Sequence, residues 1–398
     1  MKLSKKIIFS FIGIVLMLVL TTTGYSFFED VYLIKDGETF YKDVPEAKSS
    51  PLGAANYFHI FANKANLRNH TNGNVATREL SGDSNFGTQN IQEMEYNYAQ
   101  QVKNINGASG ITGHTKMVFG KDVRIDLSEF NRPKVNGKQM DRISGNDIYQ
   151  DKAPNVYIDF DAEFQKLNNV SKSIIDHEVD RTYSSADFPD RNIRVIDASE
   201  FNKKDVYIKL TSDVLQTGTP ITIAGLEKNS GDGQFKNVYI TVDTGNQSSY
   251  TMDSQIKFRY TDGSERGNKE TIDFSDSTVL WNFEQYGSPF SGSINLRSTW
   301  VGSMLAPKAS VGGEQNIDGN IIANEFRGAG ETHSWHWQKN KGGVVLEKTD
   351  SEDGAFLSGA EFSLYNAETK KLVKEGLTTN ADGQLEVKDL PLGKYYFK

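Results

Sequence analysis

The apolar residues of this chain come in short packets. Val279-Leu280-Trp281, Met304-Leu305-Ala306 and Ile321-Ile322-Ala323 are each followed by Asn or Pro, so each has room for one short strand and little more. Met304 and Ile321 stand about 17 residues apart, on the order of one solenoid turn, which makes stacked coils a physical possibility. Upstream, strands are expected over Ile193 to Ile196, Val206 to Leu210, Ile221 to Ile223, Val238 to Val242, Ile256 to Tyr260 and Ile272 to Phe274, spaced by roughly 13 to 17 residues with Gly, Asn or Asp between them. That spacing suits the coils of a β-helix as well as a sandwich, and periodicity alone does not choose.

One stretch is helical. From Asp159 to about Val179, Phe160, Phe164, Leu167, Val170 and Ile174 trace a single apolar face, and Asp159 or Asp161 can cap its start. A lone amphipathic helix in a strand-rich chain must lay its stripe on something apolar, and the flank of a solenoid is the natural place. Nearer the N-terminus, Tyr57, Phe58, Ile60 and Phe61 form an apolar patch, and Asn72-Gly73-Asn74 supplies a turn before Val75-Ala76. The stretch from Gly82 to Gly120 is rich in Asn, Gln, Gly and Thr, with Ile111 and Met117-Val118-Phe119 as strand pieces ahead of Val123 to Leu127. Near Lys341-Gly342-Gly343 the pattern changes. Alternation in Val345 to Lys348, Glu361 to Leu364 and Gln384 to Val387, with turns at Asp353-Gly354 and Asp382-Gly383, predicts a small antiparallel sandwich.

Composition narrows the classes. At 398 residues with 37% hydrophobic content the chain can build two or three cores. A net charge of -8 gives no basic surface for counterion release, so nucleic acid is excluded as a partner. There is no cysteine, hence neither a disulfide nor a thiolate metal site. Residues 1–26 carry Lys2, Lys5 and Lys6, an apolar run from Ile7 to Leu20 and a small-residue exit at Gly24 to Ser26, the pattern of a cleaved export signal. An uncleaved membrane anchor is the alternative. Residues 27–51, charged and without periodicity, are expected to form a loosely held, flexible lead-in.

Particular motifs carry a resemblance. Trp281-Asn282-Phe283, Gly302-Ser303-Met304-Leu305-Ala306-Pro307, Ile317-Asp318-Gly319-Asn320-Ile321 and Gly330-Glu331-Thr332-His333 resemble the end of the choice-of-anchor A domain of bacterial surface proteins. The aromatic-rich entry from Ala54 and its Gly turn resemble the opening of that domain, although Thr77-Arg78 replace the usual glycine pair. The resemblance implies an ice-binding-like right-handed β-helix with one long axial α-helix over residues 52–338. Lys348-Thr349-Asp350, Leu357-Ser358-Gly359-Ala360-Glu361-Phe362, Thr379-Asn380-Ala381-Asp382-Gly383 and Leu390-Pro391-Leu392-Gly393-Lys394-Tyr395-Tyr396 resemble the SpaA-type (Cna B-type) stalk module of Gram-positive pilins and adhesins. This implies an immunoglobulin-like (prealbumin-like) β-sandwich over residues 339–398, incomplete at Lys398, where the module would still need its last strand.

In modules of that family a Lys on the first strand attacks an Asn side chain on the last, with a Glu between them. Lys348, as nucleophile, and Glu361, as proton shuttle, hold the matching positions, and the partner Asn is not in this chain. Burial would make the chemistry work, since a desolvated Lys loses its proton and a desolvated Glu keeps one. The plainer reading is a pair of surface charges on edge strands. His333 and His336 beside Glu331 invite a metal, but residues three apart on a strand point to opposite faces; His59, His70, His114 and His177 are scattered and suggest no triad. Asp159, Asp161, Asp187, Asp190 and Glu284 offer carboxylates for glycoside chemistry without a pairing by spacing. Repeated Thr-x-Thr ladders of the kind ice binding needs are missing. Tyr57, Trp281, Tyr286, Trp300, Trp335 and Trp337 belong to the core by default, or else to a partly exposed ligand face.

The expectation is therefore a Gram-positive cell-surface adhesin, not an enzyme and without a cofactor. Its large domain would bind a host extracellular matrix protein or surface glycan non-covalently, with sortase and peptidoglycan as partners through a C-terminal signal that this chain does not contain. A structural pilin-like or biofilm matrix subunit is the alternative, followed by a secreted carbohydrate-active enzyme.

Overall fold

The computed structural model describes residues 32–87, 94–105, 115–228, 236–338, 342–367, 370–390 and 395–398. The expected export signal with its Ser26 exit, and Ile111 and His114, lie outside the described residues. The described chain is mainly β, and its largest sheet is parallel through most of its width. The packets read from the sequence become neighbouring strands, Val279–Gln285, Ser303–Gly313 and Ile321–Gly328, with Trp281 opposite Met304 and Met304 opposite Ile321.

Order in space is not order in sequence. Ile60–Leu67, Val75–Gly82, Glu95–Ile105, Thr115–Phe119 and Ile148–Gln150 step outward toward one edge. The chain then restarts at the opposite edge with Arg181–Tyr183 and steps inward through Asp205–Leu210, Asn237–Asp243 and Val279–Gln285 until Ile321–Gly328 pairs with Ile60–Leu67. At this seam Ile60 lies opposite Ile321, Phe61 opposite Ile322 and Ala62 opposite Ala323, all in parallel register. Two short parallel sets form a second face: Val195–Asp197, Ile221–Leu226 and Ile256–Tyr260, then Trp300–Val301, Ile317–Asp318, Thr332–His333 and Thr71–Asn72. A third face comes from Ser249–Met252, Ser293–Leu296 and the far ends of the long strands, which turn a corner where the register skips between Ala306 and Ser310. Parallel strands repeated on these faces fit a β-helix.

Alternation along each strand fills two cores. Ile208, Ile240, Trp281, Met304, Ile321 and Ile60 stack in register inside the coils. Leu305, Ile322, Phe61, Ala76, Tyr98 and Val118 form the neighbouring column on the outer surface. Strands buried on both sides read as unbroken apolar packets, which is why no alternation showed in the sequence.

The outer column is covered by the helix Phe160–Asp176. Asp159 caps it, accepting from the backbone N–H groups of Asp161 and Ala162. Phe160, Phe164, Leu167 and Ile174 are buried, and Phe61 sits 5.3 Å from the Phe160 ring and 5.6 Å from Phe164. Ser171 Oγ donates to Asn282 Oδ1 at 2.7 Å and Asn282 Nδ2 donates back to the Ser171 carbonyl at 3.0 Å, clamping the helix to the sheet. The chain must travel from Ile148–Gln150 to Arg181–Tyr183, ten strand spacings along the sheet path, or roughly 48 Å at about 4.8 Å each. Seventeen helical residues supply about 26 Å of that distance.

Two expectations are corrected. The lead-in is not loose where it is described: Phe40, Val44, Ala47 and Leu52 are buried in the outer core, within Phe40–Asp43 and the 3-10 turn Pro45–Ser49 and just after them. Elements this short cannot show an amphipathic period, so their apolar residues looked incidental. Ile272 to Phe274 is a loop with Ile272 exposed; Thr271 Oγ1 accepts from Asp273 N and Asp273 Oδ1 from Ser275 N, local bonds that replace a strand ladder.

At the seam corner Asn72-Gly73-Asn74-Val75 and Asp318-Gly319-Asn320-Ile321 flank, one on each side, the coil that carries His59 and Ile60. Gly73 and Gly319 share a left-handed backbone, with φ of 141° and 140°. A Cβ on Gly319 would stand 2.4 Å from the Gly302 carbonyl oxygen, so only glycine fits. The following asparagines satisfy backbone that the bend strips of partners: Asn74 Nδ2 donates to the Tyr57 and Tyr96 carbonyls, and Asn320 Nδ2 to that of Phe58 at 2.6 Å.

In the C-terminal region Gly342–Glu347 pairs antiparallel with Gln384–Leu390, and Glu361–Asn366 lies between Leu372–Thr378 and Tyr395–Phe397. Leu364, Leu385, Val387 and Leu390 make its core.

Between the seam coils His59 is fully buried, with Nδ1 donating to the Gly319 carbonyl at 2.9 Å and Nε2 unpartnered among the described residues. Burial, with His336 nearby, pushes its pKa down to about 3. Because this lies below the unfolded value, the unfolded chain takes up the proton first, and stability falls as pH drops from about 6.5 toward 3. Urea denaturation should show a loss of about 2 kcal/mol between pH 6.5 and pH 5 from this residue alone, removed in His59→Gln. An unchanged pH slope in that variant would show that the group does not control acid stability.

Candidate functional site

Beside the helix, part of the sheet's outer surface stays open. A groove of about 550 Å³ runs there, floored by Tyr207, Tyr239 and Leu280, walled by Gln165, Lys166, Asn169 and Ser173, and ended by Trp337 and Pro51. Tyr207 and Tyr239 face each other across paired strands and stack at 4.7 Å. His177, capping the helix C-terminus, stacks on Tyr207 at 3.6 Å, and Trp337 meets Tyr239 edge-on at 5.9 Å.

The groove is rich in donors. Burial, with the Asp205 carboxylate adding, raises both tyrosine pKa values, so their hydroxyls stay protonated. Lys166 donates to the Ser50 carbonyl at 2.9 Å, and burial lowers its pKa against the opposing pull of Glu163. Trp337 is the anomaly. The indoles of Trp281, Trp300 and Trp335 donate to the Val301 carbonyl, the Gly302 carbonyl and Asp276 Oδ1 respectively. Trp337 is equally buried and its backbone N–H reaches Asn320 Oδ1 at 2.6 Å, yet its Nε1 has no partner among the described residues. A buried indole N–H normally finds an acceptor, so this one sets Trp337 apart from the other three tryptophans.

A second polar cluster lies on another face. Asp318 is fully buried and accepts from His333 Nδ1 at 2.8 Å, Asn268 Nδ2 at 2.7 Å and the Lys269 backbone N–H at 3.2 Å. Arg266 Nη2 stands 3.2 Å from Asp318 Oδ2 without hydrogen-bond alignment, and its guanidinium lies 4.1 Å from the Trp335 ring centre. Burial would depress His333, but the bond and charge of Asp318, with Glu331 and Glu270 adding, raise its pKa instead. His70 reaches the rim of the same cluster through Glu270, 3.7 Å away.

The residues weighed from sequence have separate fates. Asp159 caps the helix, Asp161 pairs with Arg78, Asp187 caps a 3-10 turn from Ser184, Asp190 accepts from Asn192 N, and buried Glu284 pairs with Lys209 at 2.5 Å. Each carboxylate is engaged locally, and the structure does not gather them into one centre. His333 and His336 also diverge, the first on Asp318 and the second on Ser334 Oγ. The four tryptophans are buried, Tyr57 is half-buried and Tyr286 is exposed on a turn. Lys348 is half-buried and donates to the Thr349 carbonyl, while Glu361 is exposed at the head of its strand. What sequence reading missed is that His70 and Glu270 meet Glu331 and that Tyr207 and Tyr239 form a groove floor. The in-register tyrosines of successive strands were the available signal for the floor.

The family model described as "Putative Ice-binding-like adhesive domain" matches residues 51–334, and that of the SpaA prealbumin-like fold domain matches residues 342–398, the arrangement expected from the motifs. No curated protein matches the chain. Among solved structures, the ice-binding protein from the Antarctic ascomycete Antarctomyces psychrotrophicus is similar at 13% identity, over 72% of this chain and 98% of that one, with a TM-score of 0.30. That superposition is too loose to carry more.

Asp318→Ala should destabilise the protein by about 3–5 kcal/mol in urea unfolding, because it leaves the Arg266 guanidinium buried and unpaired. A loss below about 1 kcal/mol would mean that the guanidinium finds water or another acceptor.

Proposed function

The chain belongs to the ice-binding-like adhesive domain family, and from that premise we propose that it is a cell-surface adhesin of a Gram-positive bacterium. The large domain binds its ligand non-covalently in the groove beside the helix. The observation that carries this reading is the aromatic-floored groove itself, where the stacked pair Tyr207 and Tyr239 lies beside Gln165, Lys166 and Asn169. Tyr hydroxyls, an ammonium and side-chain amides together suit an extended ligand rich in acceptors, for which a surface glycan is the fitting class and a matrix protein segment the other. The engaged carboxylates support a binder over a hydrolase. In this reading the coils are right-handed and the helix runs along their axis, bracing the floor of the groove.

The SpaA-like region supports display on a stalk, with sortase and peptidoglycan engaged through a further C-terminal signal. The isopeptide chemistry proposed for Lys348 and Glu361 requires both to become buried when an Asn-bearing strand packs over them. In a chain that supplies this strand, intact mass should fall by that of one ammonia, and Lys348→Arg should abolish the loss. An unchanged mass would remove the crosslink from the proposal.

Binding is tested by probing a glycan and matrix-protein array with the full chain. Saturable binding is expected, weakened about tenfold or more by Tyr207→Ala and by Lys166→Ala. Binding indifferent to both variants would displace the groove. Self-association alone would favour a structural matrix subunit, and sugar release an enzyme.

A further inference from the structure

His70, Glu270 and Glu331 come from three distant parts of the sequence. One donor atom of each lies within 4.8 Å of the others. The coil stacking enforces the meeting of two of them: Thr332 N donates to the His70 carbonyl at 3.1 Å, and Thr71 lies opposite Thr332, so His70 and Glu331 occupy equivalent places on adjacent coils. Glu270 arrives from the loop after Arg266, which Asn268 and Lys269 anchor on Asp318. Two carboxylates held this close repel unless a cation lies between them, and His70 alone supplies at most one positive charge.

A fourth group stands at the edge. His333 Nε2 is 3.9 Å from Glu331 Oε1, and its Nδ1 is pinned to buried Asp318. A carboxylate holding one imidazole nitrogen fixes the tautomer and presents the other as a ligand, as second-shell partners of metal-bound histidines do. We propose that His70, Glu270 and Glu331, with His333 at the rim, form a binding site for a divalent transition cation, with Zn²⁺ the best match to mixed imidazole and carboxylate donors. The side chains must close by about 1–2 Å to reach ligand distances, and the exposure of His70 and Glu270 leaves them room to turn. The ion would join the first coil, the last coil and the loop between them, a staple across the seam in a chain without cysteine.

The test is calorimetric titration of untagged, EDTA-treated full chain with ZnCl2 and, separately, CaCl2. One saturable Zn²⁺ site is expected, with a higher melting temperature in its presence and no comparable Ca²⁺ binding. Glu270→Gln and His70→Ala, both changes of partly exposed side chains, should each weaken Zn²⁺ about tenfold or more, and His177→Ala should not. Absence of a saturable Zn²⁺ heat, or equal binding in Glu270→Gln and His70→Ala, overturns the site. Equally tight Ca²⁺ overturns the transition-metal assignment.

Discussion

Parallel pairing of Ile60–Leu67 with Ile321–Gly328 is the constraint from which the rest of this architecture follows. Once the first long strand is bonded to the last, the coils must be laid down in two runs that end at opposite edges of the sheet, and the chain needs a crossing between them. An amphipathic helix makes that crossing because its buried stripe is paired with an outer surface that would otherwise expose Leu305, Ile322 and Phe61. The outer core therefore exists because of the seam, and the groove is the strip of outer surface that the helix leaves uncovered.

Polar groups specify the geometry that burial alone would leave loose. At the seam bends the ladder loses bonds, and Asn74 and Asn320 replace them with side-chain amides placed to reach backbone, while Asn282 uses the same amide to hold the helix. Asn320 joins three elements, accepting from Trp337 N and Ser303 Oγ while donating to the Phe58 carbonyl. The same residue that closes the corner thus holds the backbone of Trp337 at the end of the groove, which links the register of the coils to the position of the unpartnered indole.

Local features were legible in the sequence and long-range ones were not. The helix was readable from Phe160 to Ile174 because its stripe repeats for several turns, and the strands of the coils because Gly, Pro and Asn bound them closely. The SpaA-like region was readable from its turns, as at Gly383, whose left-handed φ the sequence Asp382-Gly383 anticipates. The seam left no local trace, since Ile60 pairs Ile321 by the same apolar chemistry that pairs it with Val75. For the same reason His70 looked solitary: what places it beside Glu331 is stacking between coils at the two ends of the domain. Phe40 and Val44 hid among charges in elements too short to repeat, and Tyr207 with Tyr239 read as ordinary strand residues until the pairing aligned them.

The seam also dictates an order of assembly. While the chain is being made, Ile60–Leu67 can pair with Val75–Gly82, but its other edge has no partner until Ile321–Gly328 has emerged, after most of the chain. Until then a row of backbone donors and acceptors beside Phe61 stays open, a template for any passing strand. Completion waits on contacts of very long sequence separation, which makes folding slow and nearly all-or-none in its final step. That template is withdrawn only when the first long strand and the last have met.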